Sequence, residues 1–340
     1  MLIKELSEIS GVSGDESRVR TFIREELDSL GISSATDSMG NLYAFKGKDK
    51  CQEGGIMLAA HMDEVGLMVA SIEKSGHLKI YPVGGVDERL LLSTSVQVGP
   101  DNVPGVIGAK AVHLQKKEER GKAVEFDKLF IDIGAKDKED AEKATKVGDY
   151  VSFLAEGQAL QDDLFSGKAL DNRAGCAALL EILKKDCPLS FTGVFTVQEE
   201  VGLRGAKVAA YRVNPRIALV IETTTAADLP DIKEHDHATS LGKGPAFTLR
   251  DDSVITHPQI LERLVTVTEN DETPFQFRRF PGSFTDAGAI SLSRDGIMSG
   301  VISTPCRYLH SPSSLLNLRD WKNLIKVVDG FLNSIVEKGL

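Results

Sequence analysis

Two adjacent carboxylates close an apolar run, Gly193-Val194-Phe195-Thr196-Val197-Gln198-Glu199-Glu200-Val201-Gly202. The β-branched and aromatic first half reads as a buried strand. Neighbours on a strand point to opposite faces, so Glu199 and Glu200 can serve one site only where the strand ends and the backbone bends. There, one carboxylate could bind a metal ion while the other moves a proton. An acidic pair alone is most simply a solvated turn, but other positions repeat the pattern. His61 follows the apolar run Gly55-Ile56-Met57-Leu58-Ala59-Ala60, and Glu222 closes Ile217-Ala218-Leu219-Val220-Ile221. His310 comes shortly after Val301-Ile302-Ser303-Thr304-Pro305, and Asp171 stands just before a helix expected from about residue 173 to 185. Alone, Asp171 reads as that helix's N-cap.

These residues share one topological position, where a strand or turn gives way to the next element. Open α/β sheets place active sites beyond the carboxyl ends of their strands. Two imidazoles with three or four carboxylates suit a pair of Zn²⁺, Co²⁺ or Mn²⁺ ions better than Ca²⁺ or Mg²⁺, which prefer oxygen shells. Asp63 lies two residues beyond His61 and is placed to hold the second ring nitrogen of a metal-binding histidine. The ligands are dispersed, with no HExxH motif, Walker A loop or GxSxG elbow in the chain.

The elements that must position them suggest an α/β fold, a mixed sheet flanked by helices. Ser13-Gly14-Asp15-Glu16 has capping-box spacing and opens a helix carrying Val19, Phe22, Ile23, Leu27 and Leu30 on one face. The continuous apolar runs ending at Ala60 and Ile221 fit strands covered on both sides. From about residue 67 to 163, short alternating segments separated by glycines suggest an inserted small β-barrel-like domain. Its polar stretch Gln115–Lys122 reads as a surface loop. Residues 1–66 and 164–340 then form the catalytic domain, and 67–163 the insertion. The last helix, near 320–338, presents Trp321, Leu324, Val327, Val328 and Phe331.

Composition narrows the class. With 41% hydrophobic and 26% charged residues, the 340-residue chain is that of an ordinary globular protein of one large or two smaller domains. A formal net charge of -10 without a basic run argues against nucleic acid or an anionic membrane surface. Cys51, Cys176, Cys187 and Cys306 form no CxxC, and no apolar run approaches the ~20 residues that span a bilayer. A cytoplasmic protein is expected. His235-Asp236-His237 looks like a metal clip but reads as a polar turn. Arg278-Arg279 reads as a surface pair rather than a contact for an acidic substrate or a neighbouring subunit.

Taken in order, Ala60-His61-Met62-Asp63-Glu64-Val65-Gly66, Ala169-Leu170-Asp171-Asn172-Arg173, Gln198-Glu199-Glu200-Val201-Gly202, Leu241-Gly242-Lys243-Gly244-Pro245, Thr285-Asp286-Ala287 and Arg307-Tyr308-Leu309-His310-Ser311-Pro312 resemble the M42 metallo-aminopeptidases. These are the tetrahedral or glutamyl-aminopeptidase-like branch of the co-catalytic zinc peptidases, and the resemblance covers essentially the whole chain. It implies two divalent metal ions per subunit, Zn or Co, with Asp171 bridging them. His61 and Glu222 would complete one site, Glu200 and His310 the other. Glu199 would be the general base for a metal-activated water, and Asp63 would orient His61. The family usually has Asp where this chain has Glu222. The implied reaction releases N-terminal residues from peptides with a free N-terminus, with the insertion building a dimer-based homo-oligomer that can extend to a dodecamer. Three rivals stand beside it: a metal hydrolase of another amide (deacetylase- or carboxypeptidase-like), the endoglucanase label that some relatives carry, and a non-catalytic scaffold.

Overall fold

A computed structural model describes residues 1–47, 54–117, 120–280 and 282–339. Cys51 and the Glu118-Glu119 pair of the polar stretch lie outside them. Four parallel strands form the centre of a mixed sheet, in the order Phe191–Thr196, Ile56–His61, Ile217–Thr225 and Met298–Arg307. Antiparallel strands extend both sides: Leu42–Lys46 and Ser34–Thr36 on one, Ser314–Asn317, Leu164–Gly167 and Gln158–Ala159 on the other. A short parallel pair, Ala246–Thr248 with Gln276–Arg278, joins along Met298–Arg307.

The period-2 alternation of the strands sorts their side chains into two cores. Ile56, Leu58, Ala60, Phe195, Leu219 and Ile221 pack with residues of the Leu170–Lys184 and Leu318–Lys338 helices, including Leu179, Leu183, Leu324 and Phe331. Met57, Ala59, Val194, Ala218, Val220 and Val301 pack on the other face with Ala206, Ala210, Ala287 and Ile290, from the helices Arg204–Val213 and Asp286–Ser291. Every residue of Ile56–His61 is buried, which is why that run lacks alternation in sequence.

Between the Ile56–His61 strand and the sheet strand Leu164–Gly167, six antiparallel strands close a barrel. They are Gly66–Ile72, Leu78–Val83, Ser95–Val98, Val103–Gly108, Phe130–Asp132 and Tyr150–Phe153. Closure leaves no unpaired edge, and the barrel has its own core around Leu67, Leu78, Val96, Val98, Ile107, Ile131 and Val151. Gly66 marks the passage from sheet to barrel. A Cβ there would stand 2.5 Å from Val12 Cγ2 and 2.8 Å from the Val151 carbonyl oxygen, so only glycine fits.

One local expectation fails. The Ser17–Ser29 helix has no side-chain cap, and the Ser13–Glu16 capping box does not form. The Ser13 hydroxyl instead donates to Asp63 Oδ2 at 2.6 Å, and Glu16 Oε1 accepts the backbone N–H groups of Gly14 and Gln198. These partners lie far along the chain or in the preceding turn, so spacing alone could not reveal them.

A buried ionic knot joins the barrel entrance to the Asp171 turn. Lys168 Nζ donates to both oxygens of Glu64 at 2.7 and 2.8 Å, and Arg173 Nη2 donates to Glu64 Oε1 at 3.2 Å. Arg173 also donates to the carbonyls of Leu6, Ile9 and Met62. Removing one partner of such a group strands buried charge, at a cost of about 3–5 kcal/mol. Glu64→Gln is therefore expected to lower the thermal unfolding midpoint clearly. Glu64→Gln combined with Lys168→Met should lose less than the sum of the two single changes; additive losses would show that the pair is not coupled.

Candidate metal centre

Strand register builds the first half of the site. Thr196 is paired with His61, and Ala59 with Val220, which sets Glu222 level with His61. Glu222 is paired in turn with Ser303. By alternation these four residues form one row on the face that carries Ala59 and Val220. His61 Nε2 lies 3.5 Å from Glu222 Oε2, and both residues are buried.

Asp171 enters from an irregular turn. The helix assigned as Leu170–Lys184 is non-helical at Asp171 (φ -84°, ψ 103°) and Asn172 (φ -124°, ψ 41°), and the peptide bond between them is cis. The capping work falls to Asn172, not Asp171. Asn172 Oδ1 accepts the Gly175 N–H at 3.0 Å, and its Nδ2 donates to the Ile221 carbonyl at 2.8 Å. The Asp171 carboxylate is thereby left to the site. Its Oδ1 stands 3.3 Å from His61 Nε2 and its Oδ2 stands 3.4 Å from His310 Nε2.

The Glu199-Glu200 pair turns inward because Asp63 holds its backbone. Asp63 Oδ1 accepts the Glu199 N–H at 3.0 Å and Oδ2 the Glu200 N–H at 3.1 Å. Gln198, at φ 56°, supplies the bend, and Glu200 Oε1 comes to 3.1 Å from His310 Nε2. Each histidine is fixed through its other nitrogen. His61 Nδ1 lies 3.1 Å from the Asp63 carbonyl and 3.4 Å from Asp63 Oδ1, while His310 Nδ1 lies 3.0 Å from the carbonyl of Gly85, which follows the barrel strand Leu78–Val83. Such partners set the tautomer that leaves Nε2 free to ligate.

The donor set fits divalent ions. The four Nε2-to-carboxylate separations, 3.1 to 3.5 Å, match the edge of a tetrahedron with Zn–N/O bonds of 2.0–2.1 Å, about 3.3 Å. Glu222 Oε1 is buried and accepts no hydrogen bond, the usual mark of a missing partner. Glu199 also offers an oxygen within 4.8 Å of a ring nitrogen of His61 and a carboxylate oxygen of Glu222, and Glu200 one as close to His61 and Asp171. The site opens into a cavity of about 770 Å³ whose wall includes Thr223, Thr224, Phe284, Leu309 and Arg278.

The electrostatics reflect the crowding of buried carboxylates. Burial drives Glu199 well above the usual carboxylate range, with Glu222, Asp286 and Glu200 adding to it, and it pushes Glu222 up to about 8. Burial also acts against charge on Asp171, but His310 and His61 overcome it and hold the group low. Burial would lower His310, yet Asp171 and Glu200 raise it to about 11.

All seven residues singled out in the sequence, His61, Asp63, Asp171, Glu199, Glu200, Glu222 and His310, come together here. Two neighbours were not assigned to the site. Asp286 is buried, accepts the Thr196 hydroxyl at 2.5 Å and leaves Oδ1 unpartnered. Its only sequence signal was the Thr285-Asp286-Ala287 motif. Arg278, read as half of a surface pair, is only 7% exposed and faces the cavity, whereas Arg279 is exposed. The alternation of a short strand separates them. His235 stays exposed and His237 bonds within its own loop, as a polar turn requires.

Because burial raises Glu222 to about 8 and the carboxylates around His310 raise it to about 11, cation binding at pH 7 must compete with protons at both. Affinity for Zn²⁺ or Mn²⁺ is expected to rise as pH goes from about 6 to about 9. Calorimetry in buffers of different ionisation enthalpy should report net proton release at pH 7. Binding with no proton release would refute the ligand set.

A family model described as M42 glutamyl aminopeptidase matches residues 40–327. The lysyl aminopeptidase of Pyrococcus furiosus is 30% identical over 343 residues, covering 98% of this chain and 96% of that one. Among solved structures, the TET aminopeptidase from the marine sediment archaeon Thaumarchaeota archaeon SCGC AB-539-E09 is 36% identical with a TM-score of 0.93, covering 97% of this chain and 94% of that one. The structure described as PhTET1-12s, a dodecamer in its asymmetric unit, is 32% identical with a TM-score of 0.85 over 97% of each chain. A Thermotoga maritima structure described as an endoglucanase is 37% identical with a TM-score of 0.82, covering 100% of each chain. That label does not carry over, and the endoglucanase alternative is set aside. The peptidase family model spans most of the chain, and two histidines converge on the carboxylates, where glycoside hydrolysis needs a carboxyl pair alone. The buried histidine–carboxylate centre at the sheet's carboxyl edge and the match over residues 40–327 lead to one conclusion, that the chain belongs to the M42 glutamyl aminopeptidase family.

Proposed function

We propose that the centre holds two divalent ions, Zn or Co, and removes N-terminal residues from peptides. His61, Glu222 and Asp171 Oδ1 would ligate one ion, and His310, Glu200 and Asp171 Oδ2 the other. The observation that carries this reading is Asp171, whose two oxygens each face a different histidine. Bound there, such ions would polarise the scissile carbonyl and lower the pKa of a water.

The chain's own residues supply the rest. Glu199 is the general base: burial raises its proton affinity, so it can take a proton from the water and pass it to the leaving amine. Asp63 positions His61 and the backbone of both glutamates. A carboxylate near the centre would meet a substrate's free α-ammonium group, which restricts cleavage to the N-terminal residue. Glu222 has a longer arm than Asp, and this sets how that ligand reaches its ion.

The assembly proposed is a homo-oligomer, dimer-based and dodecameric by likeness to PhTET1-12s, with residues 67–163 as the dimerisation unit and 1–66 with 164–340 as the catalytic domain. No helix among the described residues is long and apolar enough to cross a membrane. The location proposed is the cytoplasm, and the net charge of -10 without a basic run argues against nucleic acid or an anionic membrane surface as a partner.

Chelator-stripped protein should not cleave aminoacyl-p-nitroanilides and should recover on addition of Zn²⁺ or Co²⁺. Glu199→Gln should reduce kcat by about 10²–10⁴-fold while metal content, read by plasma mass spectrometry, stays at the wild-type value. Loss of an ion in Glu199→Gln would make Glu199 a ligand. Cleavage of N-acetylated peptides but not free N-termini would move the enzyme to another class of amide hydrolase.

A further inference from the structure

Arg278 ends the short strand Gln276–Arg278, whose parallel pairing with Ala246–Thr248 fixes it beside the cavity. Among the described residues lining that cavity it is the only lysine or arginine. Its Nε is buried without a hydrogen-bond partner, and its hydrogen bond from Nη2 to the Gly282 carbonyl is long, at 3.5 Å. The nearby Asp251 is already occupied. It accepts N–H groups from Ser253 and Val254 and the Thr285 hydroxyl. Burying a guanidinium with its donors unspent is costly. A planar fork of five N–H groups matches a carboxylate, two bonds at a time. Away from the metal centre, Arg278 is the one cationic side chain that the described lining of the cavity offers to an anionic group.

We infer that Arg278 is the specificity-determining residue of this site and binds a substrate carboxylate. The side chain of an N-terminal Glu or Asp is one source of that group, and the C-terminus of a short peptide is the other. The inference rests on the aminopeptidase reading. It assigns the preference to a residue of this chain, in a family whose members include a lysyl enzyme.

The test uses metal-loaded wild-type enzyme with matched substrates. Glu- and Gln-p-nitroanilide are nearly isosteric, differ in charge and lack a C-terminal carboxylate, so their ratio reads the side chain alone. Leu-Leu against Leu-Leu-amide reads the C-terminus. One of the two ratios should favour the carboxylate by about 10- to 100-fold in kcat/KM, mainly through KM, the range of a charge-assisted hydrogen bond. That ratio should collapse toward unity in Arg278→Leu and be only partly retained in Arg278→Lys. Which ratio responds identifies the source. Equal cleavage of Glu and Gln together with equal cleavage of acid and amide overturns the inference, as does a preference that survives Arg278→Leu. Should Arg278→Leu fail to fold, the wild-type ratios and Arg278→Lys still decide. Cleavage of Leu- and Gln-p-nitroanilide without any carboxylate preference defeats only this inference. Cleavage of no anilide or dipeptide defeats the aminopeptidase reading with it.

Discussion

The site depends on one buried carboxylate that is not proposed as a ligand. Asp63 accepts the Ser13 hydroxyl and the backbone N–H groups of Glu199 and Glu200, and its Oδ1 lies beside His61. Burial works against its charge, but His61, Ser13 and the Glu199 N–H together keep its pKa below the usual value. Its negative charge therefore persists in the interior, where hydrogen bonds to it are strong. A neutral side chain would leave the Glu199-Glu200 turn and the His61 ring without their common anchor. Local structure near the first histidine thus decides where two distant glutamates point.

The barrel is tied into the chemistry as well as inserted beside it. The carbonyl of Gly85 lies against His310 Nδ1, so an element outside the sheet sets the ring of one proposed ligand. The Glu64–Lys168–Arg173 knot fixes the barrel entrance to the turn before Asp171. Burial lowers Lys168 to about 8 against the opposing pull of Glu64, so the lysine still carries its charge near neutral pH. The cost of burying these charges is offset only while all partners are present. Such a group enforces one arrangement of the domain boundary.

Legibility in the sequence followed the range of the forces involved. His61 and Glu222 could be found because apolar runs announce buried strands and period-2 alternation places their last residues. Glu199 and Glu200 could be found because two carboxylates cannot share a strand face, so a turn was required. Asp171 was visible, but its alternative as an N-cap was removed only by Asn172, whose side chain bonds to the distant Ile221 carbonyl and to Gly175. The capping box at Ser13–Glu16 failed for a similar reason, since its polar groups are engaged by Asp63 and Gln198 across the fold. Arg278 and Arg279 look alike as a dipeptide and differ wholly in surroundings.

The sequence by itself determined the sheet-forming runs, the inserted strand-rich region and the set of residues at strand exits, because these are written in short-range periodicity and residue chemistry. Which oxygen of Asp171 faces which histidine was decided only by the tertiary structure. So was the anchoring of His310 by the barrel, and the burial of a cation at position 278. Each is an interaction between groups far apart along the chain, fixed by strand order and register, and no local spacing encodes it.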